Sequence, residues 1–226
     1  MVTDSQLTGL QTALDSMRAD YMADLEGLVN IDCGTYTKSG VDEVGRWLTE
    51  QLRELGAQVT VHPHETLGDT VVGVLEGQGR GRAVLVGHLD TVFEAGTVAE
   101  RPFVIDEGRA YGPGVDDMKG GLLTGLYAIR SLRATRGGGP PASWLPFERL
   151  TFVANPDEEI GSPSSTPHIE AAARDATVAF VLESARENGD IVSARKGIAD
   201  FRLTVVGRAA HAGVEPEKGR SATLEA

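Results

Sequence analysis

Three apolar runs and one glycine-rich turn end in side chains able to hold a metal ion or move a proton. "RAVLVGHLD" ends in His88 and Asp90, "TFVANPDEE" in Asp157, Glu158 and Glu159, and "TVAFVLES" in Glu183. The turn "YGPGVDDMKGG" presents Asp116 and Asp117. One imidazole and several carboxylates gathered without a cluster of arginines repel one another, and one or two divalent cations resolve the repulsion. Zinc suits such ligands, and two ions roughly 3.5–4 Å apart can activate a water between them. His88 and Asp90 are two residues apart, so on a strand they share a face. A ligand histidine commonly gives its other ring N–H to a carboxylate, a task that suits Asp90. Adjacent Glu158 and Glu159 can divide the work at a bend, one binding metal and one handling protons. Each piece alone also reads as an ordinary turn or solvated charge run. The metal reading rests on all four together.

Such a convergence needs a sheet whose strands end at one edge. Apolar residues at helical spacing predict one amphipathic helix over residues 5–30 and a second in "VDEVGRWLTEQLRELG", stopped by Gly56. Strand-like runs follow in "AQVTVH", "DTVVGVLEG" and "RAVLVGHLD", the last apolar enough to be covered on both faces. "MKGGLLTGLYAIRSLRAT" reads as a helix and "GGGPPASWLP" as a loop. A strand in "LTFVANPDEE", a helix in "TPHIEAAARDA" and a strand in "TVAFVLES" complete the alternation. The fold class is therefore α/β, a mostly parallel central sheet flanked by helices. In such sheets ligands sit outside the carboxyl ends of the strands. After Glu183, "IVSARKGIADFRLTVVGRAAHAG" alternates apolar and polar residues, as in a half-exposed antiparallel strand. This predicts one domain over residues 1–196 and the start of a second over 197–226.

Composition narrows the function classes. A net charge of −12 argues against nucleic acid and anionic membranes as partners. The single cysteine, Cys33, rules out an internal disulfide and a cysteine-based zinc site, and is read as structural. The N-terminus lacks a signal-peptide pattern and no run reaches membrane-span length, so a cytoplasmic protein is expected. Neither a G-x-S-x-G elbow nor a phosphate-binding P-loop motif occurs. His62 and His64 of "VHPHE" are read as exposed strand residues and His168 as structural.

The stretches "VGHLDTVF", "AYGPGVDDMKGG", "NPDEEIGS", "VLES" and "GRAAHAGVEPEKG" resemble, in order, the aminoacylase/glutamate carboxypeptidase family of dizinc metallopeptidases, carboxypeptidase G-like members in particular. The resemblance implies that His88 binds one zinc with Glu183, that Asp117 bridges both ions, and that Glu159 binds the other. It implies Glu158 as general base, Asp90 as support for His88, and a cis peptide at Asp117–Met118. It makes the first domain catalytic and the second a smaller α+β domain that would mediate homodimerisation and carry His211 into the partner's site. The cofactors implied are two divalent ions, zinc with cobalt or manganese as substitutes. The implied function is hydrolysis of an amide or peptide bond releasing an amino acid. An N-acyl-amino-acid deacylase or dipeptidase is the alternative within the family, so the substrate is a small peptide or N-acyl amino acid. A non-catalytic metal-dependent binding module is the alternative from another class, and an intact Glu158 argues against it. The family takes its last metal-ligating histidine from a later segment. The 226 residues are therefore read as a fragment, inactive by itself.

Overall fold

Seven residues, Arg82–His88, form strand β3, and its position decides where the sequence's chemistry meets. The computed structural model describes residues 3–197 and 201–225. The chain divides into two units at Ser184/Ala185.

In the first unit, helices α1 (Asp4–Ser16), α2 (Arg18–Val29) and α3 (Lys38–Glu54) precede strands β1 (Gln58–His62), β2 (Thr70–Glu76) and β3. A short helix α4 (Thr97–Glu100) and a hairpin, β4 (Val104–Asp106) and β5 (Arg109–Tyr111), lead to the turn at Val115–Lys119. Then come α5 (Gly120–Thr135), α6 (Pro141–Trp144), β6 (Arg149–Asn155), α7 (Thr166–Ala173) and β7 (Val178–Val181). The sheet order is β1-β2-β6-β3-β7. β1 and β2 are antiparallel, as are β2 and β6, whereas β3 runs parallel to both β6 and β7. Four of the five strands thus share one direction and only β2 opposes it, a mostly parallel sheet.

Helices cover both faces. Val41, Val44, Leu48 and Leu52 recur on one side of α3 and are buried, as are Leu122, Leu123 and Leu126 of α5. They share a core with Val71, Leu85 and Phe152 of the sheet. Residues of opposite parity, such as Val72, Val84 and Thr151, line a cavity with His168 and Ala171 of α7. A Leu48→Ala change would cost about 2–5 kcal/mol, because a buried leucine leaves a cavity as well as losing its transfer energy.

Several local expectations are corrected. The helix expected over 5–30 is two helices broken at Met17, whose φ and ψ are −94° and 1°. Only the second of the two buries residues, Leu25, Leu28 and Val29. Within the "GGGPPASWLP" loop, Pro141–Trp144 is helical, with Pro141 at the first turn where its missing N–H costs nothing. The β4–β5 hairpin was not foreseen. Its turn residues Glu107 and Gly108 have φ of 46° and 77°, as a two-residue hairpin loop requires, and "DEGR" was its signal.

In the second unit the described residues form an isolated bridge between Arg208 and Arg220, a 3₁₀ turn at Pro216–Lys218 and a short helix α8 (Ala222–Glu225). The antiparallel strand expected over 191–213 does not form among the described residues; 198–200 lie outside them. An alternating segment becomes a strand only when another takes its backbone hydrogen bonds along its length, and among the described residues only Arg208 finds such a partner, in Arg220.

Candidate metal centre

The register of β3 levels three chain ends. His88 pairs with Asn155 of β6, so the Pro156–Glu159 turn begins beside the histidine. Val86 pairs with Val181 of β7, and continuing that register two residues brings Glu183 level with His88. The fourth element, the turn before α5, reaches the same edge because two glycines admit it. A Cβ on Gly121 would lie 1.9 Å from the Leu182 carbonyl oxygen, and one on Gly114 (φ 71°) would lie 2.6 Å from Thr91.

His88 is 1% exposed. Its Nδ1 is 2.9 Å from the Asp90 carbonyl oxygen and 3.4 Å from Asp90 Oδ1. Its Nε2 is 2.9 Å from Asp117 Oδ1 and 3.5 Å from Glu183 Oε1. Burial opposes protonation of the ring, but the hydrogen bond to Asp90 and the charges of Asp90 and Glu183 outweigh it and raise the pKa to about 9. Glu159 is also raised, first by burial and then by the Asp117 charge. Two sets of potential ligand atoms lie within 4.8 Å of one another: His88 with Asp117 and Glu159, and His88 with Glu158 and Glu183. The peptide Asp117–Met118 is cis, as the resemblance implied.

The three neighbouring acids of "PDEE" point different ways. Asp157 is buried and accepts from the Ser164 N–H and hydroxyl and from the Ser165 hydroxyl, so its charge is spent inside the loop. Glu158 and Glu159 are left facing His88. Asp90 ties the two elements together. Its carboxylate accepts from the Glu158 and Glu159 N–H groups at 3.2 and 3.4 Å and from the Thr35 hydroxyl at 2.7 Å.

Sequence reasoning missed Thr35 and Lys119, and it grouped Asp157 with the site acids although the structure turns it inward. Lys119 is 1% exposed and donates to the Ile31 carbonyl at 2.9 Å, just beyond the C-terminus of α2. Burial lowers its pKa, and the neighbouring Cys33 opposes that shift. The "KGG" beside Asp117 was the available signal for it. His211 belongs to the second unit; it is exposed, with Nδ1 accepting from the Gly213 N–H at 3.1 Å. His62 is half-buried rather than exposed. It stacks on His168 with ring centroids 3.9 Å apart, an apolar contact that sequence separation concealed. His64 lies outside β1, also half-buried, and accepts the Leu67 N–H.

Residues 84–223 match the family model described as Peptidase family M20/M25/M40. The chain belongs to this family. It is 34% identical over 219 residues to carboxypeptidase G2 of Pseudomonas sp. (strain RS-16), covering 96% of this chain and 51% of that protein. It is 28% identical over 179 residues to acetylornithine deacetylase of Photorhabdus laumondii, covering 77% and 43%. The chain thus spans about half the length, or less, of these relatives. Among solved structures, the dipeptidase Dug1p of Saccharomyces cerevisiae superposes with a TM-score of 0.65 at 18% identity, covering 79% of this chain and 41% of that one. Human carnosine dipeptidase 1 gives 0.64 at 18% identity, covering 77% and 40%. These likenesses establish the M20-type α/β catalytic fold for the first unit.

Proposed function

We propose that this chain carries most of the active site of a metal-dependent amidohydrolase that cleaves a peptide or N-acyl amino acid and releases a free amino acid. The observation behind the reading is the meeting of His88, Asp117, Glu158, Glu159 and Glu183 at one sheet edge. The donor set fits divalent cations. Among the described residues no lysine or arginine pairs with Asp117, Glu158 or Glu159, so their charge calls for a cation from solution.

In this reading His88 and Glu183 would hold one ion and Glu159 the second, with Asp117 available to both. Zinc, cobalt and manganese all suit imidazole and carboxylate ligands. When bound, such ions lower the pKa of water and polarise a carbonyl. Asp90 fixes the His88 ring so that Nε2 faces the site. Glu158 takes a proton from the attacking water and delivers it to the leaving nitrogen. His211 accepts a hydrogen bond at Nδ1, which leaves the ring proton on Nε2, suited to donation to a substrate carboxylate or oxyanion of a partner protomer. The enzyme is read as a cytoplasmic homodimer. The named relatives include a carboxypeptidase and a deacetylase, which supports amide cleavage at an amino acid and leaves the acyl group open. No helix of the described residues is long and apolar enough to cross a membrane.

The test is a pair of substitutions in the protein that carries this chain. Glu158→Gln should keep its bound metal and lose roughly 10²–10⁴-fold in turnover of dipeptides and N-acyl amino acids. Glu159→Gln should lose metal. The opposite pattern would exchange the two roles, and undiminished turnover after complete metal stripping would sink the hydrolase reading.

A further inference from the structure

Between α3 and the β1–β2 edge of the sheet lies a cavity of about 340 Å³. Arg46, Thr49 and Arg53 of α3 line it with Glu50, and Val61 of β1 and Val71 of β2 supply apolar wall. Thr49 is 6% exposed, and its hydroxyl is the buried side-chain polar atom that finds no hydrogen-bond partner among the described residues. A buried hydroxyl without a partner is costly and rare in a folded protein, so it points to a group that the protein does not supply. Neither the Arg46 nor the Arg53 guanidinium has an ion-pair or hydrogen-bond partner among the described residues. They sit seven residues apart on α3, roughly 10 Å along its axis, with Thr49 between them.

The acids around the cavity are not equivalent. Asp42 and Asp69 face Lys38 at 3.0 and 2.6 Å, and they also accept the backbone N–H groups of Asp69 and His64. Glu50 has no such partner and is the remaining free acid on this wall. With Lys38 the wall carries three cations against three carboxylates, and the two exposed guanidiniums are the donors that no protein group among the described residues occupies. Arginine matches carboxylate in a bidentate fork, and a pocket that binds a small molecule typically sets a few polar groups on an apolar wall.

We propose that this cavity binds a small dicarboxylate, one carboxylate on Arg46, the other on Arg53, with the Thr49 hydroxyl hydrogen-bonded to the bound anion. Two carboxylates on one small chain can each take a guanidinium fork, which a single carboxylate cannot do. None of its lining residues is among the proposed metal ligands.

Calorimetric titration of the 226-residue chain with glutarate, after treatment with chelator, tests this directly; acetate and inorganic phosphate serve as comparison anions. Glutarate should bind once per chain and at least about tenfold more tightly than acetate or phosphate, since two forks act instead of one. Arg46→Gln and Arg53→Gln should each weaken glutarate about tenfold, whereas Glu50→Gln should tighten it about threefold by removing the competing carboxylate. Thr49→Val should weaken binding while raising the Tm of the anion-free protein, because it removes a hydroxyl that lacks a partner. All four variants leave the metal centre untouched, and circular dichroism checks their fold. Absence of glutarate heat at millimolar concentration, equal binding of acetate, or indifference to both arginine changes would overturn the proposal. A Thr49→Val protein with unchanged affinity would remove the hydroxyl from the site and with it the reason for placing a ligand there.

Discussion

Asp90 has no exposed side-chain surface, yet its carboxylate meets a histidine ring, a threonine hydroxyl and two backbone N–H groups. Removing its charge should affect all of them. Asp90→Asn is expected to weaken metal binding about 10–100-fold, the usual cost of losing the group that orients a ligand histidine; a competition titration against a chromophoric chelator reads this. The same substitution should lower the His88 pKa from about 9 in metal-free protein, measurable by NMR of the ring. The sign of the stability effect follows. A folded pKa above the unfolded value means that protonated His88 stabilises the fold fully below about pH 6.5, and that contribution is lost as pH rises towards 9. The Tm of metal-free protein should therefore fall across that window, and fall less in Asp90→Asn. An equal decline in both proteins would show that His88 is not its source.

The elements converge because small residues let them approach. α5 begins at Gly120-Gly121, and the second glycine lies against the backbone of Leu182, one residue before Glu183. Gly121→Ala would drive a methyl group into that carbonyl. The expected cost is about 1–3 kcal/mol or more, because neither the helix nor the strand end can give way independently. Thermal unfolding measures the loss, and metal affinity should fall with it, since Glu183 moves. Gly9→Ala makes the control: nothing lies within 4 Å of its Cβ position, and a helical glycine replaced by alanine should be stabilising. Lys119 does the complementary work from below. Its ammonium bonds the chain leaving α2, joining the Asp117 turn to the first helices.

Across the whole molecule, the two ligand sets share one side chain. His88 Nδ1 is engaged by Asp90, so only Nε2 is available to an ion, and the two sets cannot both use it at once. One ion should therefore bind tightly to the 226-residue chain, with any second held only by carboxylates and much more weakly. Elemental analysis after gel filtration in dilute zinc should find about one zinc per chain, a tight catalytic site ordinarily needing three protein ligands. Two tightly held ions would mean that a ligand comes from residues not assigned here.

The longer helices and the five sheet strands over residues 38–183 were legible because each run carries its own period, whereas the short helices α4 and α6 and the β4–β5 hairpin were not. α3 repeats apolar residues at helical spacing, while β3 and β6 are continuous apolar runs of strand length. The gathering of His88, Asp90, Asp117, Glu158, Glu159 and Glu183 was legible for a related reason: each follows a run or opens a turn, and parallel strands deliver their ends to one edge. Some features had no local signature. The inversion of β2 and the insertion of β6 between β2 and β3 depend on pairings between distant segments. Asp157 looked like its two neighbours, and only the loop that folds back with Ser164 and Ser165 turned it inward. Thr35 became a partner of Asp90, and His62 of His168, across 55 and 106 positions of sequence. Residue type and period set what each segment can become. Which side chains meet is decided by packing, because contacts between distant segments form only once the sheet and its helices have taken their places.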